Sequence, residues 1–217
     1  MKKTLKWRLA QNIELKWWQR YLQSKDQEAY GAWKLQYWAD LLKVIGNVVK
    51  LPNNSAVLDA GCGPAGIYRA LPHCRVTAID PLLAAYEQNL TLHFNPADYP
   101  YVTFRAMPLE QLTDIQQYDV VFCLNVINHV SDIKLCIQKL YDALVPNGYL
   151  VLSIDAHNHN VFKWLFRAIP LDILHPHQHN LEGYKQLLPD NAKIRQEVLY
   201  KKEFFFNYHV LVIQKPA

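Results

Sequence analysis

The first fifty residues carry apolar side chains at helical spacing. Apolar positions recur every three or four residues over residues 9–22 and again over residues 33–45, and no proline interrupts either stretch. The polar run Ser24-Lys25-Asp26 separates them. This pattern predicts two amphipathic helices that form an N-terminal helical cap over residues 1–50, and it places five of the six tryptophans of the chain in them.

After Leu51-Pro52-Asn53-Asn54 the pattern changes to short β-rich runs that alternate with helical ones. Strands are predicted at residues 56–60, 75–79, 102–106, 118–125 and 148–154, and helices between them at residues 65–71, 81–90 and 133–144. A further helix is predicted at residues 181–188, and two more strands at residues 193–200 and 208–214 are close enough to pair antiparallel. Alternation of this kind predicts an α/β fold with a doubly wound, mostly parallel sheet that ends in a C-terminal antiparallel strand pair.

The length of 217 residues fits one domain with appendages, and 51% apolar with 19% charged residues excludes disordered and fibrous classes. We expect the main domain to span residues 51–217, with a lid-like insertion at about 156–192. No apolar run reaches the roughly 20 residues of a membrane span, and the basic N-terminus continues into polar residues, so a cytoplasmic protein is expected. The four cysteines form no paired motif and are interpreted as reduced thiols.

Positive charge is concentrated at the N-terminal end. Residues 1–50 carry ten Lys or Arg and four Asp or Glu, a balance of +6, while the whole chain has a net charge of +4. This excess indicates either an anionic partner or helices with lysines on their solvent-facing side, and the second interpretation is favoured.

Three of the seven glycines, Gly61, Gly63 and Gly66, follow the first predicted strand within six residues. Taken with Asp80 nineteen residues after Gly61, they satisfy a dinucleotide-binding pattern. However, Pro64 removes one amide donor from the loop and Asp59 places a negative charge beside it, and both disfavour a pyrophosphate. The loop therefore favours a ligand without phosphates that carries an amine and a cationic centre, such as S-adenosylmethionine.

The run Val57-Leu58-Asp59-Ala60-Gly61-Cys62-Gly63 resembles the first motif of class I S-adenosylmethionine-dependent methyltransferases. The resemblance covers about residues 51–155 well and 190–217 loosely, and it implies the Rossmann-like seven-stranded sheet of that family with S-adenosylmethionine as cofactor. It implies that Asp59 and the glycine loop hold the methionine end of the cofactor and that Asp80 takes the ribose hydroxyls. The cofactor-binding residues implied are Asp59, Gly61, Cys62, Gly63, Asp80, Pro81, Met107, Pro108, Leu109 and Asn125, with the adenine near Met107 and Leu109.

The segment that follows the fourth strand is similar to a family motif of an asparagine, two apolar residues, glutamate and histidine. Here Asn128 stands where glutamate is common, so a role for that carboxylate is not expected. His129 is predicted as the catalytic base, since histidine is the commonest general base near neutral pH, with a structural role as the alternative.

The acceptor is expected beyond the carboxyl ends of the fourth and fifth strands, under the N-terminal helices and the insertion. Predicted acceptor-binding residues are Asn128, His175, His177, Trp33 and Tyr37. The stretch His175-Pro176-His177 has possible metal geometry, but no cysteine or spaced carboxylate completes a ligand set, so no metal is expected.

These observations favour methyl transfer to a small-molecule acceptor with an oxygen nucleophile. An RNA or protein methyltransferase is one alternative, and a non-catalytic cofactor-binding interaction module is another. No DNA partner is expected, because the Asp/Asn-Pro-Pro-aromatic motif of base-amino methyltransferases is missing after the fourth strand. The basic amphipathic residues 161–170 are interpreted as a lid packed on the sheet, in preference to a cover over an apolar acceptor or a membrane-surface contact.

Overall fold

A seven-stranded sheet forms the centre of the protein in a computed structural model, which describes residues 5–90, 93–157, 179–202 and 206–217. The strands are β1 Ala56–Ala60, β2 Arg75–Ile79, β3 Val102–Arg105, β4 Tyr118–Cys123, β5 Leu144–His157, β6 Lys193–Lys202 and β7 Phe206–Gln214. Their order is β3-β2-β1-β4-β5-β7-β6; the first five are parallel, and β7 pairs antiparallel with both β5 and β6. The predicted fold class is confirmed.

Within the described residues, five α-helices accompany the sheet: α1 Leu5–Gln23, α2 Gln27–Ile45, α3 Leu83–Asn89, α4 Ile133–Asp142 and α5 Leu181–Lys185. The predicted break between the first two helices is confirmed, because Asp26 caps α2 by accepting a hydrogen bond from the backbone N–H of Ala29 at 2.8 Å. Asp132 caps α4 in the same way through Leu135.

The cap is attached to the sheet domain mainly through α2. Trp38, Leu41 and Ile45 are buried, and the indole Nε1 of Trp38 donates a hydrogen bond to the carbonyl of Ala65 at 2.9 Å. On the far side, the side-chain amide of Gln196 in β6 donates to the carbonyl of Val44. Helix α2 is therefore held by the loop after β1 and by the edge strand β6, and its position next to the glycine loop is fixed by a buried contact.

Apolar side chains cover both faces of the sheet. One cluster packs α2 and α3 against one face, with Tyr68, Tyr86 and Phe94 fully buried in it. The other packs α4 and α5 against the opposite face, with Tyr118 and Tyr184 among its buried rings. Burial on both faces is what the continuous apolar runs of β1, β4 and β5 predict for parallel strands.

Two elements differ most from the sequence expectation. The helix predicted at residues 65–71 is wrong: the chain forms two 3₁₀ turns there, Gly63–Ala65 and Ile67–Ala70, separated by Gly66 in extended conformation. Strand β5 begins at Leu144, earlier than predicted, because the register with β4 shifts between Tyr118 and Val120 and absorbs the proline-containing turn as a bulge.

Among the described helices, none is long and apolar enough to cross a membrane.

Candidate active site

A cavity of about 530 Å³ lies at the carboxyl ends of β1, β2 and β4, which is where open α/β sheets bind ligands. Its floor is formed by the loops after these strands and its wall by α1 and α2. Of the predicted cofactor-binding residues, nine line the cavity, namely Gly61, Cys62, Gly63, Asp80, Pro81, Met107, Pro108, Leu109 and Asn125. The structure thus brings together residues that are up to 64 positions apart in the chain (61 to 125).

The glycine loop takes its shape from backbone angles that favour glycine. Gly61 and Gly63 have φ values of +73° and +55°. A side chain on Gly61 would collide with Val126, whereas a Cβ on Gly63 would meet only the ring of Trp18 at 3.7 Å. Gly63 therefore presents bare backbone to the cavity, with the ring of Trp18 close beside it.

Asp80 fixes the loop to the end of β2. Its carboxylate accepts one hydrogen bond from the backbone N–H of Gly63 at 3.0 Å and another from that of Leu82 at 2.8 Å. Burial raises the pKa of Asp80 to about 6, while these two N–H groups oppose the rise. Since an ionised carboxylate offers about four acceptor sites, Asp80 keeps capacity for further donors from the cavity.

Asp59 is placed under the loop and is not among the cavity-lining residues. It is buried at the end of β1, and its Oδ2 accepts a hydrogen bond from the backbone N–H of Tyr68 at 3.1 Å. A Cβ on Gly66 would lie 2.3 Å from this oxygen, so glycine is required there for the bond to form. Burial and, secondarily, the charge of Asp80 raise the pKa of Asp59 to about 7. Its contact with the methionine end of a cofactor stays a prediction.

Asn125 follows β4 with a φ of +60°, a conformation that asparagine tolerates better than most residues. Its backbone N–H donates to Ser153 Oγ in β5 at 2.8 Å, which holds the end of β4 against its neighbour. Opposite it, Leu109 starts a 3₁₀ turn and is buried, while Met107 and Pro108 precede it on the cavity wall. This pair of loops forms the apolar end of the cavity.

His129, the predicted base, lines the cavity and is exposed at its edge. Its backbone N–H bonds to the carbonyl of Val126, which closes the turn between β4 and α4. The adjacent Asn128 points elsewhere: it is buried, and its Oδ1 accepts a hydrogen bond from the Tyr184 hydroxyl at 2.5 Å. Asn128 thus joins this turn to α5 and lies outside the cavity lining, so its acceptor contact stays a prediction.

The cap contributes an aromatic wall, which comprises the cavity-lining residues Trp7, Trp17, Trp18, Tyr21, Tyr30, Trp33 and Trp38. Neighbouring rings contact one another along and between the two helices: Trp17 and Tyr21 are stacked at 5.0 Å, Tyr30 and Trp33 are tilted at 5.8 Å, and Tyr21 of α1 meets Tyr30 of α2 edge to face at 6.1 Å. Trp33 therefore lines the cavity, and its contact with an acceptor stays a prediction. Tyr37 packs behind the wall, against Trp38 and Tyr200, and its predicted acceptor contact is untested.

Two charged residues of the N-terminal cap that line the cavity were missed at the level of sequence. Glu14 in α1 and Lys34 in α2 both line it. Burial and the charge of Asp80 raise the pKa of Glu14 to about 7, and burial together with Arg69 lowers the pKa of Lys34 to about 8. Their signal was spacing: each shares a helix face with a tryptophan four residues later, Trp18 and Trp38.

The Nζ of Lys34 lies 5.0 to 5.4 Å from the ring centres of Trp33, Tyr37 and Trp38. Contacts between an ammonium and aromatic faces stabilise a cation but leave its hydrogen-bond donors unused. Lys34 thus presents a cation inside the aromatic wall, beside the glycine loop that Trp38 contacts through Ala65.

His175 and His177 lie outside the described residues, so their predicted acceptor contacts are untested. Within residues 5–90, 93–157, 179–202 and 206–217, no group of three or more His, Cys, Asp and Glu side chains is arranged to hold a metal ion.

Residues 58–152 match the model of a family described as "Methyltransferase domain". The chain is 30% identical over 122 residues to the ubiquinone biosynthesis O-methyltransferase of Rickettsia typhi, which covers 55% of this chain and 48% of that protein. It is 35% identical over 99 residues to the protein of the same name from Rickettsia prowazekii, covering 45% of this chain and 38% of that one. The chain therefore spans about half the length, or less, of these curated relatives.

Solved structures share the fold at low identity. The N-methyltransferase NodS from Bradyrhizobium japonicum, in complex with S-adenosyl-L-homocysteine, superimposes with a TM-score of 0.63 at 17% identity, covering 91% of each chain. The YcgJ protein from Bacillus subtilis gives a TM-score of 0.62 at 13% identity, covering 81% of this chain and 98% of that one. At such identities the likeness extends to the fold and not to the acceptor.

Proposed function

Because the chain belongs to the class I S-adenosylmethionine-dependent methyltransferases, we propose that it transfers a methyl group from S-adenosylmethionine to an oxygen nucleophile on an apolar small molecule. The observation that carries this proposal is the placement of His129 in one cavity with the glycine loop and the aromatic wall. The methyl transfer itself, the class of acceptor and the oxygen nucleophile are what is proposed.

The donors and acceptors of the cavity fit the cofactor. Asp80 has acceptor capacity for a ribose diol, Gly63 leaves its backbone accessible, and the apolar turn at Leu109 suits an adenine ring. When bound, S-adenosylmethionine supplies an activated methyl group on a sulfonium, so the protein's own part is alignment and exclusion of water. The loop needs no phosphate-binding amides for this ligand, in keeping with Pro64 at its turn.

Lys34 is proposed to hold the carboxylate of the cofactor's amino acid end. Among the described residues that line the cavity, it is the one lysine or arginine, and it lies one helical turn before Trp38, which contacts Ala65. A carboxylate in an apolar cavity needs a cationic partner to offset its lost hydration. This assignment places one cofactor contact in the cap, outside the segment that matches the methyltransferase domain model.

His129 is proposed as the base that receives the acceptor's proton. It follows β4, whose carboxyl end opens into the cavity between the glycine loop and Met107. A hydroxyl must lose its proton as it attacks, and a positioned imidazole accepts one at neutral pH. A neutral amine needs less help, so dependence on His129 distinguishes the two kinds of acceptor.

The aromatic wall supports an apolar or ring-bearing acceptor. Seven aromatic side chains face a volume of about 530 Å³, and flat rings bind other flat or apolar groups through stacking and burial. The names of the Rickettsia relatives point in the same direction, since both are O-methyltransferases of ubiquinone biosynthesis.

The test is turnover with labelled cofactor. The full chain, methyl-labelled S-adenosylmethionine and a panel of apolar phenols and catechols are incubated, and mass spectrometry follows both the methylated product and S-adenosylhomocysteine. Label on a phenolic oxygen supports the proposal. Label in nuclease-sensitive or protease-sensitive material of an extract would favour an RNA or protein acceptor, and absence of turnover in all of these mixtures would favour a non-catalytic cofactor-binding module.

A further inference from the structure

The outward side of α1 carries two adjacent rows of side chains. Residues four apart lie above one another on a helix. One exposed row is basic apart from one amide and consists of Arg8, Asn12, Lys16 and Arg20. The neighbouring row is apolar, with Leu9, Ile13 and Trp17 exposed at 47%, 37% and 52%. Large apolar side chains in a row on a surface indicate a binding face.

The charge on this side of α1 has one sign. The helix contains a single acidic residue, Glu14, and Glu14 lines the cavity, so the exposed rows contain none. A second copy of the chain is disfavoured as the partner, because a two-fold contact would bring the same basic row against itself. A basic row beside an apolar row with a tryptophan matches helices that lie in the interface of an anionic bilayer.

The same face adjoins the mouth of the cavity. Trp17 belongs both to the exposed apolar row and to the cavity lining, because its ring is half exposed and also faces the cavity. The same ring stacks on Tyr21 of the aromatic wall. Trp33, 51% exposed, contributes a second ring at the mouth from α2. If the outer face of α1 lies on another surface, the mouth of the cavity is therefore next to that surface, and an apolar molecule can pass from it into the site.

We propose that the outer face of α1, defined by Arg8, Leu9, Ile13, Lys16, Trp17 and Arg20, docks the protein on a bilayer that contains anionic lipid, with the cavity mouth at the membrane surface. Leu9 and Ile13 insert among the acyl chains near the headgroups, and the basic row contacts lipid phosphates. By sequence alone, the excess positive charge of the N-terminal helices is interpreted as that of an ordinary solvent-facing side. In this proposal the same charge contacts the phosphates of anionic lipids. The docking does not depend on methyl transfer.

Co-sedimentation of the full chain with vesicles tests this without cofactor. The probes are phosphatidylcholine vesicles with about one third phosphatidylglycerol and vesicles of phosphatidylcholine alone. We expect binding to the anionic vesicles that weakens as ionic strength rises, and much weaker binding to the neutral ones. The double variant Ile13→Ser/Lys16→Glu should lower the partition coefficient by about tenfold or more, since it removes an inserted side chain and reverses a charge.

A matched control is available on α4. Lys134 and Leu135 are exposed there, and Lys134→Glu/Leu135→Ser makes the same chemical changes and the same change in net charge. It should bind vesicles as the wild type does. The proposal is overturned if the wild type fails to bind anionic vesicles, if both variants lose binding equally, or if the α1 variant abolishes a concentration-dependent dimer in sedimentation velocity and leaves vesicle binding unchanged. Circular dichroism and thermal midpoints confirm that each variant is folded.

Discussion

The floor and the wall of the cavity are built in different ways. The floor consists of strand-end loops in which buried carboxyl groups accept hydrogen bonds from backbone N–H groups: Asp80 from Gly63 and Leu82, and Asp59 from Tyr68. The wall consists of two helices whose side chains meet ring against ring, with the rings of Trp17 and Trp33 half exposed. The floor thus has a geometry set by the main chain, while the wall is set by side-chain packing.

This difference determines which half of the site tolerates amino-acid substitutions. A loop held by backbone hydrogen bonds and positive-φ glycines tolerates few substitutions, because a side chain at Gly61 or Gly66 collides with Val126 or Asp59. A wall of packed aromatic side chains can exchange one of them for another without moving the backbone. We therefore expect the floor to be specialised for the cofactor and the wall for the acceptor.

The largest expected effect is on turnover and comes from His129, which lies where the floor meets the wall. With a hydroxyl acceptor, His129→Ala should lower kcat by about 10²- to 10⁴-fold, the range for loss of a positioned general base, while affinity for S-adenosylhomocysteine stays the same. Single-turnover kinetics and calorimetry measure the two effects. His73→Ala, at an exposed histidine outside the cavity lining, is the control. A His129→Ala protein with undiminished turnover would remove this residue from the chemistry.

Asp80→Ala should damage the floor and not the wall. We expect affinity for S-adenosylhomocysteine to fall by about 10- to 150-fold, which corresponds to about 1.5 to 3 kcal/mol for hydrogen bonds to a charged group. Calorimetry should also show that the wild type does not bind NAD. Asp98→Ala makes the same change at an exposed aspartate and should bind as the wild type does. Equal affinities of wild type and Asp80→Ala would contradict the assignment.

Lys34→Met tests whether the wall also holds the cofactor. The variant should bind S-adenosylhomocysteine about 5- to 30-fold more weakly, since a charge-assisted contact is lost, and should bind 5′-methylthioadenosine, which lacks the amino acid end, as well as the wild type does. Lys43→Met, at an exposed position of the same helix, serves as the control. An equal loss for both ligands would mean that Lys34 supports the shape of the cavity and not the carboxylate.

The smallest effect concerns Glu14 and pH. Burial and Asp80 raise its pKa from 4.5 to about 7, so between these values the folded chain binds more protons than the unfolded chain. Stability from this group is present below about pH 4.5 and is lost as pH rises to about 7. Without cofactor, the free energy of unfolding should fall over this interval, and Glu14→Gln should reduce the fall by about 1 to 2 kcal/mol.

Urea titrations at several pH values measure this effect. The exposed Glu87→Gln on α3 provides the matched change and should leave the pH profile as it is in the wild type. A Glu14→Gln profile that coincides with the wild-type profile would place the Glu14 carboxyl in solvent and separate it from Asp80.

The sequence by itself determined the sheet and the floor of the site. Apolar runs of strand length, a glycine cluster after the first of them and an aspartate after the second are signals that can be read within short segments of the chain. The 3₁₀ turns around Gly66 escaped prediction because their cause, the carboxyl of Asp59, acts across nine residues through one hydrogen bond to Tyr68.

Only the tertiary structure decided which side of each cap helix faces the site. The aromatic residues of α1 and α2 were visible in the sequence, but Glu14 and Lys34 became part of the cavity, and Leu9 and Ile13 part of the surface, through the way α2 packs at Ala65 and α1 crosses above Gly63. Helical periodicity shows which residues share a face of a helix. Which of these faces meets the cavity is set by contacts between elements far apart in the chain, and a pattern within one helix does not contain that information.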